Sequence, residues 1–162
     1  MEQQGFDVVG IGNAIVDVLS DTDDEFLAGQ GLAKGTMTLI EAEHADNLYG
    51  RLENKVECSG GSAANTMAGI ASLGGSCAYI GKVRNDQLGG VFGHDIRAVG
   101  VDYDIAPADE GPPTARCLIV VTPDAARTMN TFLGISSLLH PDDVDDNLVR
   151  SGKVLYLSLI HI

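Results

Sequence analysis

Short β-branched runs alternate with helical stretches between residues 6 and 101, and that alternation predicts an α/β fold with a largely parallel sheet. Three observations carry it. FDVVGIG (6–12) and SCAYIGKV (76–83) are apolar runs bounded by glycine, of the kind buried on both faces of a parallel sheet. QLGGVFGHDIRAVG (87–100) sets Leu88, Val91, Phe92, Ile96 and Val99 on one helical face, and Gly100 ends it.

The remaining elements follow in order. DTDDEF (21–26) suits a helix start, with negative charge in the first turn, and lacks the alternating ligand spacing of a calcium loop. TMTLI (36–40) predicts a short strand, and EAEHADNLYGRLE (41–53) a helix dominated by polar residues. In GGSAANTMAGIASLGG (60–75), Met67, Ile70, Ala71 and Gly74 recur at helical spacing, with the closing glycine pair as C-cap. ARCLIVVT and RTMNTFLG flank the turn PDAA and predict a β-hairpin that interrupts the alternating units. HPDDVDDNLVRSG (140–152) predicts a helix with proline at its start and aspartates that cap rather than bind metal. KVLYLSLIHI (153–162) predicts a buried strand, and a parallel strand with no covering helix after it leaves one face bare.

Composition bounds the function. The chain has 162 residues and a formal net charge of −13, with ten Lys and Arg against 23 acids. Binding a nucleic acid requires a basic footprint that this balance does not supply. Single arginines and helix N-termini can still hold a small anion locally. No apolar run reaches the ~20 residues needed to cross a bilayer, and the first residues lack the pattern of a signal peptide. The expectation is therefore a protein with no membrane partner, in the cytoplasm. Cys58, Cys77 and Cys117 are too widely spaced for a CxxC metal site and are expected as reduced thiols. The four histidines show no ligand spacing, so no metal site is expected.

Two glycine-rich stretches are candidate sites. GIGNAIVD (10–17) contains a G-x-G, but Ile15 stands where the dinucleotide fingerprint needs Gly or Ala, which disfavours an NAD-dependent oxidoreductase. Asn13 and Asp17 are expected at the carboxyl end of the first strand, where open α/β sheets bind ligands, although Asp17 as a simple loop cap fits the local sequence equally. GGSAANT lacks the lysine of a P-loop. Its Gly60–Gly61 pair lets backbone N–H groups approach a ligand, and Asn65 can both donate to and accept from a sugar hydroxyl. A tight turn before a close-packed helix accounts for the same residues. Arg127, beside the hairpin turn, either stays in solvent or folds over a bound anion.

Together these pieces resemble the PfkB family of carbohydrate and nucleoside kinases, the ribokinase fold. The carrying residues are GNAIVD (12–17), GGSAANTMAGIASLGG (60–75), GKVRNDQLG (81–89) and TARCLIVVTPDAARTMNT (114–131), the last similar to the hairpin of adenosine-kinase-like members. One departure is Arg84, where many members have glycine. The resemblance spans about residues 6 to 157 and implies that residues 1–162 are the N-terminal portion of one kinase domain, with its C-terminal part missing. It implies a small β lid from strands near 36–40 and 114–133, through which two copies can pair.

The resemblance also implies a sugar or nucleoside site. Asp17 would accept from two vicinal hydroxyls; Gly60, Gly61 and Asn65 would hold the sugar. Asn13 and Ser62 would meet the base, Ile15, Cys117 and Met129 would form apolar walls, and Arg127 would close on the transferring phosphoryl group. The family's catalytic Asp lies in a Gly-Ala-Gly-Asp element, and neither it nor the ATP-binding segment around it occurs in these 162 residues. General-base catalysis is worth ~10²–10⁴ in rate, so the chain as given is expected to be inactive although the family uses ATP and Mg2+. The alternative is a non-catalytic sugar- or nucleoside-binding module. Residues 158–162 depart from the family's continuation and are expected to be a non-native tail of a truncated reading.

Overall fold

The computed structural model describes residues 5–158. In chain order these form β1 (Phe6–Ile11), β2 (Ile15–Asp21), α1 (Asp24–Gln30), β3 (Met37–Leu39), α2 (Ala42–Arg51), β4 (Val56–Gly60), α3 (Ser62–Ser72), β5 (Cys77–Ile80), α4 (Gln87–Ala98), β6 (Ala115–Val121), β7 (Arg127–Phe132), α5 (Asp146–Ser151) and β8 (Gly152–Leu157).

Two sheets result. The first is all parallel in the order β5-β1-β8, with Val8 opposite both Cys77 and Val154. The apolar runs of β1 and β5 are continuous because both faces of these strands are covered. Val9, Ala78 and Ile80 pack towards Leu139, Val144 and Leu148, while Cys77 and Tyr79 face the main core with Met67 and Phe92. Gly10 lets α3 come close, since a Cβ there would stand 2.8 Å from the Met67 side chain.

The second sheet runs β3-β7-β6-β2-β4, with β2–β6 and β3–β7 parallel and β2–β4 and β6–β7 antiparallel. Its strands alternate strictly. Val16, Val18, Leu118 and Val120 join the main core, and Ile15, Cys117 and Ile119 form a small apolar cluster on the opposite face.

The structure corrects several expectations. Asp17 does not end the first strand: the chain leaves β1, passes Asn13, and starts β2, in which Asp17 is the third residue. Neither β2 nor β4 follows from the sequence pattern, because an acid in IVDVLSD breaks the apolar alternation and VECSG has little apolar content of its own. β4 is held by its antiparallel pairing with β2, from Gly60 opposite Ile15 to Val56 opposite Leu19. Residues 140–152 form two short helices rather than one. A 3-10 turn spans Pro141–Asp143, and α5 starts separately, with the Asp145 side chain accepting from Asn147 N at 2.8 Å. The aspartates there do cap and pair, Asp143 meeting Lys82 Nζ at 2.7 Å.

The last strand is not the buried one expected: it lacks cover on both faces, since the consecutive residues Val154 and Leu155 are both exposed. Val154, Leu155 and Leu157 are 55%, 45% and 50% exposed, and the outer edge of β8 pairs with no described strand. Residues 159–162, most of the expected non-native tail, lie outside the described residues.

Candidate active site

Helix α3 begins at Gly61, whose φ of +96° favours glycine and whose Cβ, if present, would stand 2.6 Å from the Asn13 carbonyl oxygen. No side chain caps this end, so the first-turn N–H groups stay available. Gly60 has a different reason to lack a side chain: a Cβ there would stand 2.3 Å from Asp17 Cγ. The glycine pair thus brings the β4–α3 corner directly against a carboxylate and against the β1–β2 connection.

These elements close on a cavity of about 500 Å3. Asp17, Gly61, Ser62 and Asn65 form its polar end, and Arg127 lines it from the start of β7. Ile15, Cys117 and Met129 supply apolar wall, as do Met37, Leu39, Ile119 and Leu133. Of the ten candidate residues, eight line this cavity. Asn13 and Gly60 do not, and instead form the layer behind it, Asn13 through its buried backbone carbonyl and Gly60 against Asp17.

Sequence reading missed Met37, Leu39, Ile119, Thr131 and Leu133 as individual wall residues. A signal existed: strand alternation puts Ile119 on the same face as Cys117, and Thr131 and Leu133 on the same face as Met129.

Asp17 sits in a row across the second sheet, opposite Cys58 of β4 and Cys117 of β6, with Thr131 of β7 beyond Cys117. Its neighbours along that face of β2 are Ile15 and Leu19, both packed in the apolar cluster. Burial there pushes the Asp17 carboxyl up to about 6, and the Arg127 charge only partly offsets the rise. No described residue hydrogen-bonds this carboxylate. The Cys117 thiol is pushed up to about 11, chiefly by burial, and accepts from Thr131 Oγ1 at 3.2 Å. It is therefore a neutral wall group, not a nucleophile. Arg127 is exposed and lines the same cavity, where its charge acts on Asp17 without an ion pair between them.

The GKVRNDQLG stretch acts elsewhere. Asp86 caps α4 through Gly89 N at 2.8 Å and also accepts from Thr114 N at 2.9 Å and Thr114 Oγ1 at 2.7 Å, tying the helix to the start of β6. Gly89 is required because a Cβ would stand 2.0 Å from the Arg84 carbonyl oxygen. Arg84 itself reaches the Gly111 carbonyl. Among the described residues no group of three or more His, Cys, Asp or Glu side chains could hold a metal ion.

A carboxylate kept free on an apolar wall, beside an uncapped helix start and an asparagine, can receive a polyhydroxyl compound with one apolar face. Known proteins similar to this chain include solved and curated kinases. A probable sugar kinase from Rhizobium etli CFN 42 is 50% identical, with a TM-score of 0.87 over 96% of this chain and 47% of that one. An adenosine kinase from Sinorhizobium meliloti is 54% identical, with a TM-score of 0.86 over 94% of this chain and 47% of that one. A probable fructokinase-3 from Arabidopsis thaliana is 31% identical over 109 residues, 66% of this chain and 32% of that protein. The chain thus spans about a third of this fructokinase and about half of the two solved kinases. The family model for pfkB family carbohydrate kinases matches residues 30–161, and with the ribokinase-like α/β architecture now in view, the chain belongs to that family.

Proposed function

We propose that the cavity is the acceptor site of an ATP-dependent kinase that phosphorylates a primary hydroxyl of a nucleoside, adenosine or a close analogue. The observation that carries this reading is the division of the cavity into a short polar end around Asp17 and a long apolar wall. A hexose presents hydroxyls all round and would leave them unpaired against Met37, Ile119, Met129 and Leu133. A nucleoside carries hydroxyls at one end and a flat, apolar-faced base at the other.

In this reading Asp17 accepts from two vicinal ribosyl hydroxyls, and Gly61 N–H and Asn65 hold the same ring. Ser62 meets the base, while Asn13 and Gly60 keep the corner in position. β3 and the β6–β7 hairpin form a lid that excludes water, so that the acceptor alcohol rather than water is phosphorylated. Arg127, the one basic residue among the described residues that line the cavity, neutralises charge on the arriving phosphoryl group.

The phosphoryl donor is Mg-ATP, whose chemistry is transfer of its γ-phosphoryl group. The described residues include no metal-ligand cluster, and the sequence has neither a P-loop nor a Gly-Ala-Gly-Asp element, so no residue of this chain is assigned to the metal or the triphosphate. The 162-residue chain alone is proposed to bind acceptor without turning it over.

Calorimetric titration of adenosine, ribose and fructose into the chain, with and without Mg-ATP, tests this. Binding of adenosine in preference to both sugars, with no ADP formed, is the expected result. Preference for fructose would reject the nucleoside assignment, and ADP formation by the chain alone would reject the division of labour.

A further inference from the structure

On the face of the second sheet turned away from that site lies a separate cavity of about 380 Å3, behind β3 and β7. Strand alternation makes one pair of strands serve both: Met129 and Thr131 line the front cavity, and Asn130 between them lines the rear one. Asn130 is 3% exposed, and its Nδ2 meets no acceptor among the described residues. Folded proteins seldom leave a buried amide donor unpaired. The facing wall is the start of α2, a ten-residue helix whose N-cap residue Glu41 makes no capping bond, so its first-turn N–H groups are also free. Leu32 and Ile40 give the cavity apolar flanks.

We propose that this rear cavity is a second ligand site, for a small neutral planar molecule with a carboxamide or lactam edge. The ligand carbonyl accepts from Asn130, its N–H donates to the Glu41 carboxylate, and its ring lies against Leu32 and Ile40. The full negative charge of Glu41 disfavours an anion, against the partial positive charge of the α2 start. Glu41 lines the cavity, and Lys34, the nearest lysine along the chain, is engaged by Asp24 at 2.7 Å and Asp124 at 2.9 Å.

Nicotinamide is a suitable probe because it is not a fragment of a sugar or of adenosine, and nicotinate is its anionic counterpart. Amide NMR titration of the 162-residue chain should show nicotinamide shifting Ala33, Ile40 and His44, with a Kd of about 1 mM for a ligand of that size. Nicotinate should bind at least about tenfold more weakly. Asn130→Leu removes the donor at nearly constant volume and should abolish the shifts, with a thermal midpoint no lower than the parent's. Glu41→Lys, an exposed change, should reverse the preference towards nicotinate.

Shifts confined to Gly61, Ser62 and Asn65, or absent, would overturn the site. So would unchanged nicotinamide binding in Asn130→Leu, or an unchanged preference in Glu41→Lys. Because the probes carry no ribosyl group, failure here leaves adenosine binding at the front cavity to stand or fall separately.

Discussion

Burial among Ile15, Leu19 and Cys117 holds the Asp17 carboxyl near 6, against 3.8 in an unstructured chain. Between those values the folded chain binds more protons than the unfolded one, so stability contributed by the neutral acid is lost as pH rises through about 6. Above that pH the ionised carboxylate is a strain on the fold of about 1–3 kcal/mol, at about 1.4 kcal/mol per unit. Asp17→Asn should therefore raise the thermal midpoint of the ligand-free chain at pH 7.5, while replacing one of the two acceptor oxygens that two hydroxyls require with an NH2 donor. The same ionisation governs binding with opposite sign: adenosine affinity should fall as pH drops through about 6 and should level off above 7. Titrations across that range check it. Gly60→Ala offers an independent route, because the added methyl takes the space of Asp17 Cγ. It should weaken binding by about tenfold or more through misplacement of the carboxylate, with the Asp17 charge retained. These residues were legible as candidates because glycine pairs and an isolated acid stand out from an apolar background. The Asp17 environment was not legible, since it depends on which strand carries the residue and on what pairs beside it.

At the scale of elements, the sequence announced those helices whose caps and apolar period agree. Asp23 caps α1 by accepting from Phe26 N at 2.8 Å, and Gly31 ends it at φ +65°. α4 carries the same double signal, with Asp86 at its start and Gly100 just past its end. β2 and β4 gave no such signal. Their pairing joins residues about 40 positions apart, Asp17 to Cys58, and a local pattern cannot register a partner so distant. The helix expected over 140–152 broke because His140 caps a separate 3-10 turn and Val144 is extended, at ψ 118°. Asp86→Ala should cost about 2–3 kcal/mol, since it removes a helix cap and the acceptor of Thr114 N. A denaturant midpoint measures this, and adenosine affinity should change little under native conditions because Asp86 does not line the cavity. The outer edge of β8 pairs with no described strand, and the strand exposes three apolar side chains, the pattern that promotes edge-to-edge association. Leu155→Glu should lower the self-associated fraction measured by light scattering.

For the molecule as a whole, the two sheets divide the labour. The parallel sheet is backed by α3, whose start carries Gly61, while the mixed sheet, with α4 packed on β4 and β2, contributes Gly60, the carboxylate, the apolar wall and the arginine. The fold class was legible because strand and helix alternate in sequence. The extent of the mixed sheet was not, since two of its five strands look like loops when read alone. Against the net charge of −13, Arg127 and the uncapped start of α3 supply local attraction for an anion at the cavity. The central claim is that the cavity recognises a nucleoside through vicinal hydroxyls at Asp17. Calorimetric comparison of adenosine with 2′,3′-dideoxyadenosine at pH 7.5 tests it most directly. Loss of both hydroxyls should weaken binding by about tenfold to a hundredfold, because Asp17 is then buried without partners. Equal affinity for the two compounds would contradict the account.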